Sequence, residues 1–184
     1  DNISIDLIYG LPGLDAEKWR QELDKALDLG VDHISAYCLT VEDKTVLGHR
    51  VRKGLEKPVD EDAAARQFEV LTEVLTTAGF EHYEVSNFAK AGRYSRHNSS
   101  YWNGTSYVGL GPSAHSFDGH SMRSWNVAKN GAYVNAIRRG ELPRTTEELS
   151  TADRHNEWVM TGLRTARGID IRKAAMSFGS DFET

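Results

Sequence analysis

Ile3-Ser4-Ile5-Asp6-Leu7-Ile8-Tyr9-Gly10-Leu11-Pro12-Gly13 reads as a mostly apolar strand running into a turn, because Gly10, Pro12 and Gly13 break regular backbone one after another. Asp15 is placed to cap a following helix. Trp19, Leu23, Ala26 and Leu27 then fall at i, i+4, i+7 and i+8, one apolar face, before Gly30 ends it. His33-Ile34-Ser35-Ala36-Tyr37-Cys38-Leu39-Thr40 is a second strand. Two strands joined by a crossover of this length are most simply parallel, a βαβ unit.

Working outward, residues 41–59 are a polar, irregular connection, long by loop statistics. Asp60-Glu61-Asp62 opens a helix with acids where the macrodipole favours them; Ala64, Phe68, Leu71 and Leu75 make its buried stripe, and Gly79 ends it. Phe80–Val85 is a third strand with two-residue alternation. The first 85 residues thus alternate β, α, β, α, β, as in a parallel α/β sheet or part of a barrel.

Beyond that point the pattern changes. Residues 86–104 read as a loop, Tyr107–Leu110, Ala114–Phe117 and Met122–Trp125 as short strands, and together these predict an antiparallel extension of the sheet. Ala132–Arg138 predicts a helix ended at Gly140, and Ser150-Thr151-Ala152-Asp153 is a capping box opening a helix to about Thr165. Glu141–Glu148, with Pro143 and two threonines, is the best linker, which divides the chain into 1–140 and 141–184. No internal repeat or low-complexity segment is present.

The chain has 184 residues, with 22 basic against 27 acidic side chains and a net charge of −5. No basic block follows a phosphate backbone, which argues against nucleic acid. No apolar run approaches the roughly eighteen residues of a membrane span, and the mean hydropathy of −0.53 agrees. A single cysteine, Cys38, permits no internal disulfide and points to a reducing cytoplasm. Asp1 is followed immediately by a strand with no capping element before it, as if the chain began in mid-domain, and Met176–Thr184 ends without an amphipathic element over its aromatic residues, so the expectation is a fragment.

Chemistry concentrates in a few places. Asp6, near the C-terminal end of a parallel strand, sits where open sheets and barrels bind ligands, or else bonds its own loop. Thr40 faces the same crevice. Cys38 lacks the companions a cluster or zinc site needs and reads as a buried small hydrophobe. Glu84, Ser86 and Asn87 read as strand-end hydrogen bonding. His97 lies between Arg93, Arg96 and the rings of Tyr101 and Trp102, where a flat aromatic ligand could be stacked, ligated by imidazole and neutralised by guanidinium. Tyr101 and Trp102 serve equally well as core anchors. Gly109-x-Gly111-Pro112 is a tight bend and not a dinucleotide fingerprint. His115 reads as a satisfied, half-buried histidine. Arg123 and Asn126 either hold a carboxylate or pair with Asp118.

Asp6-Leu7-Ile8-Tyr9-Gly10-Leu11-Pro12-Gly13, His33-Ile34-Ser35-Ala36-Tyr37, Tyr83-Glu84-Val85-Ser86-Asn87-Phe88, His97-Asn98-x-x-Tyr101-Trp102 and Gly109-Leu110-Gly111-Pro112-x-Ala114-His115-Ser116 strongly resemble the radical SAM proteins of the oxygen-independent coproporphyrinogen III oxidase type, and within them the haem chaperone branch. The resemblance runs over roughly residues 1–170 in the same order. It implies α/β architecture: the C-terminal part of a partial (β/α) radical SAM barrel, an antiparallel sheet extension, and the start of a truncated helical C-terminal domain.

The resemblance further implies S-adenosylmethionine contacts at Asp6, Ile8 and Thr40, and haem contacts at His97, Asn98, Tyr101 and Trp102, with His97 as the iron ligand. A [4Fe-4S] cluster belongs to the family's Cys-x-x-x-Cys-x-x-Cys loop, which this sequence lacks. The expectation is that this stretch alone binds no cofactor and performs no radical chemistry. The partners implied are haem or a porphyrin and a haem-accepting apoprotein. A sheet edge near residues 3–9 left open by missing strands would favour a dimer. Two alternatives to haem carriage stand: oxidative decarboxylation of coproporphyrinogen, with Arg93, Arg96 or Arg123 on its carboxylates, and a general α/β interaction domain.

Overall fold

The computed structural model describes residues 3–172; the expectation for Met176–Thr184 lies outside the described residues. The chain divides into two compact units, Asp1–Ser95 and Arg96–Thr184, so the expected boundary at 140/141 falls inside the second.

In the first unit, β1 (Ser4–Tyr9), α1 (Ala16–Asp28) and β2 (His33–Cys38) form the expected βαβ unit, with β1 and β2 parallel from Ser4 opposite His33 to Tyr9 opposite Cys38. The Asp15 carboxylate accepts from the Lys18 N–H and caps α1. Residues 41–59 are not wholly irregular. Thr45 caps a short helix, α2 (Val46–Arg52), through the Gly48 N–H. α3 (Glu61–Thr77) packs against α1, and Trp19, Leu23, Leu71, Leu75, Ile34 and Phe88 are fully buried between these helices and the sheet. Burying each such side chain is worth roughly 1.5–3 kcal/mol.

One strand was not anticipated. β3 (Glu81–Glu84) turns back at once into β4 (Asn87–Ala89), which inserts between β2 and β3 to give the order β1-β2-β4-β3. β4 is antiparallel to both neighbours, so β3 runs parallel to β1 and β2 without touching β2. Among the described residues β1 pairs only with β2, leaving its outer edge open.

The second unit opens with α4 (Arg96–Trp102), a helix where a loop was expected. A three-stranded antiparallel sheet follows, β5 (His115–Phe117), β6 (Met122–Asn126) and β7 (Arg144–Glu148). The linker expected at Glu141–Glu148 is therefore largely strand β7, paired residue for residue with β6. Tyr107–Leu110 contributes only a bridge from Tyr107 to Phe117, because the Gly109 N–H is taken by the Ser116 hydroxyl and not by a backbone carbonyl. α5 (Asn130–Arg138) precedes β7, and α6 (Thr151–Leu163) begins at the capping box of Ser150 and Asp153. No described helix is long and apolar enough to cross a membrane.

Candidate functional site

On β1, Ile5, Leu7 and Tyr9 face the helices while Ser4, Asp6 and Ile8 occupy the opposite face, with Asp6 and Ile8 exposed. The strand registers carry that second face across the sheet. Asp6 lies opposite Ser35, Ser35 opposite Asn87, and Asn87 opposite Glu84, a polar row over all four strands. Ser35, Asn87 and Glu84 are each 3% exposed. The Glu84 carboxylate accepts from Asn87 Nδ2 and from the Ser86 N–H, the strand-end bonding expected of these residues. Asn87 Oδ1 is left buried without a donor, an open acceptor that costs stability until something fills it.

A parallel line lies beside this row. Ser4 Oγ and His33 Nδ1 are 2.7 Å apart, His33 Nε2 and the Tyr83 hydroxyl 2.7 Å, and the Ser95 N–H reaches the same hydroxyl at 3.3 Å. Burial pushes the Tyr83 phenol up to about 12. Burial also holds the His33 imidazolium below its usual range, opposed only in part by the Asp6 carboxylate. Tyr83 therefore keeps its proton beside a neutral His33, whose ring donates through one nitrogen and accepts through the other along the line from Ser4 to Tyr83.

Gln67, which sequence reasoning missed, anchors the turn after β1. Its side chain accepts from the Gly10 N–H and donates to the Leu14 carbonyl, and its own carbonyl takes the Trp19 indole N–H. Gly10 has φ +76°, and a Cβ there would press on Cys38 Sγ. Thr40 is exposed just beyond β2. Cys38 is also exposed and not the buried hydrophobe expected, because the buried run of β2 stops at Ala36.

In the second unit, helical spacing puts His97 and Tyr101 one turn apart on α4, their rings edge to face at 5.1 Å. Tyr101 meets Tyr107 edge to face at 5.0 Å, and Tyr107 approaches Phe117 at 6.3 Å. His97 is exposed, Asn98 half-buried and Tyr101 exposed; Trp102 is half-buried under the Arg164 guanidinium, its indole N–H buried without an acceptor. Tyr107 also lines a cleft of about 490 Å³ with His115, Arg123, Trp125 and Glu147.

Several expectations change here. His115 is exposed, 6.0 Å ring to ring from Trp125, and not half-buried. Arg123 does not pair with Asp118 but with Glu157, Nη2 to Oε2 at 2.6 Å, and that bond strengthens its hold on the proton. Asp118 instead accepts from the backbone of His120, Ser121 and Met122. Asn126 braces the Gly109–Gly111 bend through both glycine carbonyls. Arg93 lies 3.5 Å from Asp32.

The donor sets differ in what they can hold. Asp6, exposed on the face whose row also carries the open Asn87 acceptor, offers oxygens suited to a ligand rich in N–H and O–H donors, with the exposed Ile8 two residues on along the same face. An iron–sulfur cluster does not fit: the sequence has one cysteine, and among the described residues no group of three His, Cys, Asp or Glu side chains could hold a metal.

No family model matches the chain. The heme chaperone HemW of Mycobacterium tuberculosis is 38% identical over 173 residues, 94% of this chain and 44% of that protein. HemW of Bacillus subtilis is 34% identical over 184 residues, all of this chain and 48% of its own. This chain is a homologue of the HemW proteins, in the radical SAM family. Mouse radical S-adenosyl methionine domain-containing protein 1, mitochondrial, is 45% identical over 113 residues, 61% of this chain and 26% of that one. The chain spans about half the length of the HemW proteins it matches. Coproporphyrinogen III oxidase (HemN) from Escherichia coli, a radical SAM enzyme, superposes with a TM-score of 0.75 at 20% identity, covering 95% of this chain and 43% of that one. That likeness establishes the fold: part of the radical SAM α/β architecture, with the β1-β2-β4-β3 sheet and its helices in the first unit and a separate antiparallel sheet, β5-β6-β7, in the second.

Proposed function

We propose that the protein handles haem as cargo, binding it and passing it to an acceptor apoprotein, with His97 as the axial ligand to iron and Asn98, Tyr101 and Trp102 as its surroundings. The observation that carries this reading is the place of His97. It is exposed on α4, edge-on to Tyr101, at the head of a run of rings that ends in an aromatic cleft. An imidazole buried among aliphatic side chains could not reach iron; this one can. Names borne by relatives along nearly the whole chain support the same reading.

Asp6, Ile8 and Thr40 are assigned to S-adenosylmethionine. That cofactor would supply a sulfonium-bearing nucleoside to the exposed face of β1, where Asp6 accepts hydrogen bonds from it and Ile8 provides apolar contact. The lone, unpaired Cys38 suits a reducing compartment, which we take to be the cytoplasm. Decarboxylation of coproporphyrinogen has less support: Arg93, one of the cations it would need, already faces Asp32, and a fold likeness at 20% identity does not carry an activity.

Haemin titrated into the purified protein tests the reading. A Soret band that shifts and saturates is expected, and His97→Ala should weaken binding by about tenfold or more, the scale of one lost ligand or charge-assisted contact. A wild-type protein without that band, or an alanine variant identical to it, overturns the assignment.

A further inference from the structure

We infer that the cleft on the β5-β6-β7 sheet receives the carboxylate-bearing edge of the same tetrapyrrole, with Arg123 as the residue that selects for a free carboxylate. This rests on the haem reading above and extends it to a part of the molecule remote in sequence from the His97 motif.

The register builds the cleft. Residues directly opposite in an antiparallel pair project to the same side. His115 is opposite Trp125, Phe117 opposite Arg123, and Arg123 opposite Glu147, so two rings, an imidazole, a guanidinium and a carboxylate share one face. Tyr107 joins them through its bridge to Phe117. These rings are not packed away: His115 is exposed, and Tyr107 and Trp125 are only half-buried. A volume of about 490 Å³ is within the usual range for small organic ligands of roughly 300–1,000 Å³.

The charge pattern narrows the ligand. Arg123 spends a single N–H on one oxygen of Glu157, and a guanidinium carries five donors in a planar fork suited to a second, bidentate carboxylate. Glu157 on α6 therefore fixes the fork without exhausting it. Glu147, across the strand pair, offsets part of the positive charge, which favours a flat ligand presenting one carboxylate over a polyanion such as a nucleotide. Tyr107 connects the two regions, since it touches Tyr101 at 5.0 Å and lines the cleft. Two ring contacts of about 5 Å separate His97 from it, a distance one macrocycle can bridge.

Haemin and haemin dimethyl ester, whose propionates are blocked, separate this inference from the reading beneath it. Wild-type protein should bind haemin about tenfold more tightly than the ester, and Arg123→Gln should remove that preference by weakening haemin alone, leaving the His97-dependent Soret maximum in place. Glu147→Gln, at an exposed position on β7, should strengthen haemin binding a few-fold more than it strengthens binding of the ester. This variant keeps the test decisive even where Arg123→Gln unfolds. A haemin-to-ester ratio unmoved by both variants, while His97→Ala still weakens haemin binding, overturns the cleft and spares the haem reading. Absence of any band in the wild type overturns both.

Discussion

His33 shows how much of the first unit depends on single atoms. It is buried on β2, and its two ring nitrogens join Ser4 on β1 to Tyr83 on β3, with β4 lying between β2 and β3. Because burial lowers its proton affinity in the fold, the unfolded chain binds the proton more tightly. Stability should therefore be complete above the free-histidine value near 6.5, fall as pH drops through it, and level off below the folded value. Urea unfolding at pH 7.5, 6.5 and 5.5 reads this directly. His33→Gln should flatten the slope, and at pH 7.5 should cost about 1–3 kcal/mol by leaving Ser4 or Tyr83 short of a partner. A slope unchanged in the variant would place the titration at other groups. Nothing in the local sequence marks His33 for this part: the neighbours that bury it come from residues 4 and 83, which only the sheet order brings together.

Among the elements, those with strong local signals were legible. α1 and α3 have capped starts, one apolar stripe and a glycine just past the end, and α6 has its capping box. Those missed are short: β4 is three residues, all buried, with no alternation to read, and α4 is seven residues with no buried residue to make a stripe. The His97 motif could be found from residue types, while the cleft could not, since it depends on the pairing of β5, β6 and β7. Gly109 shows that dependence. A Cβ there would stand 2.1 Å from the His115 carbonyl oxygen, whereas one at Gly131 on α5 would meet nothing within 4 Å. Gly109→Ala should cost about 1–3 kcal/mol by forcing β5 away from the Tyr107 segment, and Gly131→Ala should gain roughly 0.4–1 kcal/mol. Thermal unfolding should thus move in opposite directions for the two, by roughly 2–4 °C per kcal/mol; equal shifts would mean the close approach at Gly109 is not a constraint.

The two units differ in what holds them. The continuous apolar cluster, from Tyr9 to Phe88, lies wholly in the first, and the buried apolar side chains of the second are, among the described residues, Ala136 and Leu149. With so little core, the second unit depends on its ladder, its bends and the Arg123–Glu157 ion pair, and should open at lower free energy. Backbone amides of β5, β6 and β7 should exchange with deuterium well before those of β1 and β2. Haem is the missing contribution under the function proposed here: a ligand bound only by the closed form adds about 2.7 kcal/mol at one hundred times its dissociation constant. Haemin should then slow exchange in α4 and β5–β7 by up to about a hundredfold, leaving β1 and β2 unchanged. Protection that rises uniformly over both units, or not at all, would separate the cargo from the aromatic face assigned to it.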